Sequence, residues 1–118
     1  EKSALKEWAA AATSRINGCL FCAGIHGRYY LQAGGESTQI DTLFAEVTET
    51  HTALTQQDPL FKAVCVLTRT PEKFDAAAVQ PLRDAGYSHT QILDILLSSA
   101  LFNWLNRLIQ TLGESRLN

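Results

Sequence analysis

An all-α fold is predicted by three features of this 118-residue chain. Apolar residues recur at three- and four-residue intervals in successive segments, the segments open on cap residues or close on glycine, and 46% hydrophobic content is enough for a thin core. The length is that of one domain, so residues 1–118 are read as a single helical unit.

The first helix is expected from about Lys2 to Ile16, where Leu5, Trp8, Ala9, Ala12 and Ile16 share helical spacing. It stops at Asn17-Gly18, a dipeptide that favours positive φ. A second helix follows from Cys19 to about Leu31, ended by Gly34-Gly35, and a third is expected from Thr38 to about Leu54 with Ile40, Leu43, Phe44 and Val47 on one face. Asp58-Pro59 fits an N-cap followed by proline at the first helical position, and opens a fourth helix through Thr68. Val64 to Leu67 alone would also suit a buried strand; the helical neighbours decide for helix. Asp75 caps a fifth helix through Ala85, closed by Gly86, with Pro81 expected to kink it or move its start. Ser88-His89-Thr90-Gln91 matches a capping box, and a long helix from Ile92 to Leu112 follows, closed by Gly113. Its apolar residues exceed what one face of a lone surface helix buries, which points to a central helix or a subunit interface.

Charge and composition exclude some partners. Ten basic residues against 12 acidic give a net charge of -2, with no cluster of Lys and Arg to follow a phosphate backbone, so nucleic acid is not expected. No uninterrupted apolar run approaches the roughly 20 residues that cross a bilayer. A cytoplasmic protein with no membrane partner is the expectation. The chain has no methionine and opens inside a helical pattern, so a native N-terminal segment is expected to precede it.

Chemistry concentrates at the start of the second helix. Cys19 and Cys22 form a Cys-x-x-Cys pair, and His26 lies one turn beyond Cys22. At i, i+3 and i+7 on a helix the three share a face. The thiolate is the nucleophilic form of cysteine, and the positive end of a helix together with an imidazole would favour it at Cys22. Cys19 is then placed to attack an oxidised Cys22 and close a disulfide. A zinc site with His51 or Cys65 as fourth ligand is an alternative, although three ligands on one short helical stretch are poorly spread for a tetrahedral site. Inert packing is the other alternative. Cys65, inside an apolar stretch, reads as a small buried hydrophobe. Glu7, 15 residues before Cys22, would meet His26 if the first two helices return antiparallel, and a carboxylate there would orient the imidazole. His51 and His89 read as exposed polar residues. Arg107, with Asn103 one turn earlier, is expected to make a structural ion pair with a buried carboxylate or to reach a substrate.

Residues 14–26, Ser-Arg-Ile-Asn-Gly-Cys-Leu-Phe-Cys-Ala-Gly-Ile-His, resemble the core motif of the AhpD-like alkylhydroperoxidases of the carboxymuconolactone decarboxylase superfamily. Residues 82–88 and 102–108 resemble later helices of its peroxidase-related branch, so the likeness runs from about Ala4 to Gly113. It implies a helical fold that oligomerises through its helices as a trimer or hexamer. It also implies a relay in which Glu7 and His26 handle the proton, Cys22 attacks a peroxide and Cys19 resolves the product. An external dithiol or thioredoxin-like reductant would reset the pair, with no metal or organic cofactor. The superfamily's lactone decarboxylases do not need the thiol pair, whose presence here weighs against that activity. Phe21 departs from members that carry a polar residue between the cysteines.

Overall fold

A computed structural model describes residues 2–46 and 58–113. The described residues fold as six α-helices and one short 3-10 turn, without a strand: α1 (Lys2–Ile16), α2 (Leu20–Gln32), α3 (Ser37–Glu46), α4 (Pro59–Arg69), the 3-10 turn (Pro71–Lys73), α5 (Ala76–Asp84) and α6 (His89–Leu112). The all-α prediction is correct.

The middle of the molecule belongs to α1. Ala9, Ala10, Ala11 and Ala12 are all buried, as are Thr13 and Ser14, so this stretch is enclosed on every side. Short side chains allow this. Alanine lets neighbouring backbones approach closely and loses no rotamer entropy on burial. α2, α6 and α4 take up the space around it. Larger apolar groups fill the rest of the core, with Trp8 edge-on to Phe61 at 6.2 Å and Leu43, Leu82 and Ile95 fully buried.

Local caps set most helix ends. Asp58 accepts a hydrogen bond from the Leu60 amide ahead of Pro59, and Asp75 accepts one from the Ala78 amide. Ser88 and Gln91 form the reciprocal capping box. α5 starts at Ala76 and runs through Pro81, so the proline does not move its start. The missing amide leaves only the carbonyl of exposed Ala77 without its usual partner, and water can serve it. The third helix is described to Glu46; its expected continuation to Leu54, with Val47 and His51, lies outside the described residues.

Of the two places expected for the last helix, it does not take the central one. α6 is not central: Ile92, Ile95, Ser99 and Asn106 face inward, while Leu93, Leu97, Leu101, Trp104 and Leu108 are exposed. By length and composition α6 would suffice to cross a membrane, and only 22% of its most apolar window is buried within the chain. Its inward face nevertheless carries hydroxyl and amide groups that bond to α1.

Two predictions follow from this packing. Leu82→Ala, which empties a fully buried position, is expected to cost about 2–5 kcal/mol in urea denaturation; an unchanged midpoint would contradict its place in the core. Burial pushes the Cys65 thiol above its ordinary 9.0, against a smaller opposing pull from Arg69, and burial likewise raises the Tyr87 hydroxyl, helped by Asp58 and Tyr30. Above about pH 9 the unfolded chain releases protons that the folded chain retains, so stability is expected to fall as pH rises further. The slope of stability against pH should be shallower in Cys65→Ala, and identical slopes would refute the assignment.

Candidate active site

The thiol pair sits where α1 hands over to α2. At this junction the Gly18 amide bonds to the Arg15 carbonyl at 3.1 Å and the Cys19 amide to the Ser14 carbonyl at 2.9 Å. Gly18 has φ +77°. This is a Schellman ending, in which a residue in the left-handed region lets two amides turn back onto the last helical carbonyls. Glycine suits that position because it has no Cβ to clash.

Cys19 therefore closes α1 and also stands as N-cap of α2, with φ -84° and ψ 88°. The helix proper begins at Leu20, so Cys22 and His26 stand at i and i+4 within α2 and Cys19 stands at its cap. Cys22 lies in the first turn of α2, ahead of the first helical bond, from the Ala23 amide to the Cys19 carbonyl. The leading amides of a helix have no intrahelical acceptor and favour negative charge nearby. All three cysteines are buried thiols.

The antiparallel return of α2 along α1 brings Glu7 to His26. Glu7 Oε1 lies 2.6 Å from His26 Nδ1, with the two side chains 26% and 19% exposed. With the carboxylate ionised, Nδ1–H donates to Oε1 and Nε2 is left as the basic nitrogen. Phe102 packs edge-on against the imidazole at 4.4 Å between ring centres, and Tyr29 at 5.5 Å. Three contacts thus hold one ring.

A cavity of about 300 Å³ opens beside this pair between α1 and α6. Glu7 and His26 form part of its wall, together with Ala10, Leu97, Leu101 and Phe102. Lys6, Ser98 and Asp94 add polar groups, and Asp94 Oδ2 is buried there with no hydrogen-bond partner. Neither Cys19 nor Cys22 lines it. The cavity reaches the carboxylate–imidazole pair.

Sequence reasoning missed the polar seam under the thiol turn. Thr13 and Ser99 hydroxyls bond at 2.7 Å, and the Asn106 amide donates to the Ser14 hydroxyl at 3.0 Å. Asn17 Nδ2 donates to both Asn103 Oδ1 and Asn106 Oδ1, at 3.0 and 3.1 Å. Arg107 donates to Asn17 Oδ1 at 3.1 Å, and Gln110 to the Asn17 carbonyl at 2.7 Å. Ser99, Asn103, Asn106 and Gln110 form a polar stripe at helical spacing on an otherwise apolar helix, a signal that was available in the chain. Arg107 is exposed and, among the described residues, bonds to the amide oxygens of Asn17 and Gln110.

Among the described residues, no three of His, Cys, Asp and Glu are grouped to hold a metal ion. His51, the suggested fourth zinc ligand, lies outside them. His89 is exposed in the first turn of α6.

No protein-family model and no curated protein matches the chain. Among solved structures it is similar to an uncharacterized peroxidase-related protein from Silicibacter sp. TM1040, with a TM-score of 0.70 and 23% identity. The match covers 92% of this chain and 56% of that one, so the chain spans little more than half of that protein's length. At this identity the likeness concerns the fold, and the helical architecture is one that the chain shares with a peroxidase-related protein.

Proposed function

We propose that this protein is a thiol-dependent peroxidase or disulfide oxidoreductase that works through Cys22 and Cys19. The observation that carries this reading is the 2.6 Å Glu7–His26 contact, formed one helical turn from a cysteine at a helix start. Glu7 orients the imidazole through Nδ1, so that Nε2 takes the Cys22 proton directly or through a water. The thiolate attacks one peroxide oxygen and the O–O bond breaks. The other oxygen leaves as an alcohol or water after taking a proton, and Cys22 becomes a sulfenic acid. Cys19 attacks that sulfur, releasing water and forming the Cys19–Cys22 disulfide. An external dithiol, such as a thioredoxin-like reductant, restores both thiols by exchange and is itself oxidised. No step needs a metal or organic cofactor. The cavity would admit substrate at the end of the relay where His26 handles the proton.

A second copy of the chain is the proposed partner for the exposed face of α6. Leu97, Leu101, Trp104 and Leu108 follow spacings of four, three and four, the pattern of a helix seam, and Trp104 is 63% exposed. Such a face supports self-association, whether or not the thiols react. A non-catalytic helical assembly would use the same face and leave the cysteines inert.

Peroxide-dependent oxidation of a dithiol donor is expected to fall to background in Cys22→Ser and by about 100-fold in Glu7→Gln, with equal rates in the wild type and Cys22→Ser sinking the peroxidase reading. The Leu101→Lys and Trp104→Lys double variant should reduce the mass seen by light scattering to that of one chain. A wild type that is already monomeric at high concentration would refute the partner.

A further inference from the structure

Cys19 joins the two helices, its carbonyl accepting the first bond of α2 from the Ala23 amide. Its amide is held by the Ser14 carbonyl in the Schellman ending of α1, and its own φ and ψ lie outside the helical region. Cys22, by contrast, belongs to the first turn of α2. The separation of the two sulfurs therefore depends on how firmly the turn at residues 14–19 is seated against the rest of the molecule. Residues of α6 seat it. Asn103, Asn106, Arg107 and Gln110 together meet the side chain and the carbonyl of Asn17, while Asn106 also holds the hydroxyl of Ser14. Asn106 is fully buried, although placing an amide in a helix interface is costly unless its groups are satisfied. Its amide nitrogen and its carbonyl oxygen both bond to this turn.

We propose that Asn17, together with Asn106 and Arg107, is a positioning residue for the thiol pair, fixing Cys19 where it can form a disulfide with Cys22. The inference rests on the thiol-redox reading above and extends it from the reacting groups to the support that presents one of them. Holding two reacting groups in place raises their effective concentration, so loosening the turn weakens the internal disulfide relative to the two separate thiols. The reaction that reads this is exchange with glutathione. Protein dithiol and oxidised glutathione give the protein disulfide and two reduced glutathione molecules, in two steps through a mixed disulfide.

The test measures the equilibrium constant of that exchange for the whole chain with Cys65→Ala as background, by quantifying the Cys19–Cys22 disulfide at fixed glutathione ratios. Asn17→Ala is expected to lower the constant about tenfold, and Arg107→Ala, at an exposed position, to lower it less. Arg107→Lys keeps a donor and should recover most of the loss. Leu82→Ala, destabilised in the core away from the turn, should leave the constant unchanged despite its lower melting temperature. If Asn17→Ala and Arg107→Ala lower the melting temperature but keep the wild-type constant, the amide cluster only stabilises the fold and the proposal is overturned. A wild type that forms no Cys19–Cys22 disulfide at any glutathione ratio overturns the redox reading itself, and the positioning role with it.

Discussion

The grip of α6 on the turn between α1 and α2 is the constraint on which the rest of the arrangement depends. Asn17 bonds through its side chain to Asn103, Asn106 and Arg107, and through its carbonyl to Gln110. These bonds hold the turn from which α2 leaves α1. α2 packs back along α1, with His26 beside Glu7, 19 residues earlier. The amide network seats one end of the α1–α2 pair, and the carboxylate–imidazole contact joins the two helices further along.

The alanine run of α1 makes this geometry possible. A helix buried on all sides must be narrow if three others are to reach it, and Ala9 to Ala12 leave only backbone and methyl groups in the way. Close approach then brings polar groups of α1 and α6 within hydrogen-bonding range, as between Thr13 and Ser99. Buried hydroxyls and amides add little net stability when paired and cost much when unpaired, so such a seam specifies alignment more than it adds strength.

The cavity adds a different element. Its wall combines Ala10, Leu97, Leu101 and Phe102 with Glu7, His26 and the unpartnered oxygen of Asp94. Because Leu97 and Leu101 are also part of the exposed face of α6, the mouth of the cavity and the apolar seam are continuous. Whatever covers that face would therefore also cover the approach to Glu7 and His26.

Much of this was legible in the chain because it is local. Helical periodicity, the caps at Asp58, Asp75 and Ser88, and the break at Asn17-Gly18 follow from preferences that act within a few residues, and the Cys-x-x-Cys and His26 spacing needs no tertiary knowledge. Glu7 was placed only by assuming an antiparallel return. Three matters were settled only by the tertiary structure. Cys19 is the cap that joins α1 to α2, α1 and not α6 is the enclosed helix, and Asn103 and Arg107 bond to Asn17 in the turn. Each depends on contacts between residues far apart in sequence, where burial is decided by what neighbouring helices cover and a polar group's role by which partner it meets. Periodicity identifies the face of a helix, but packing determines what that face touches.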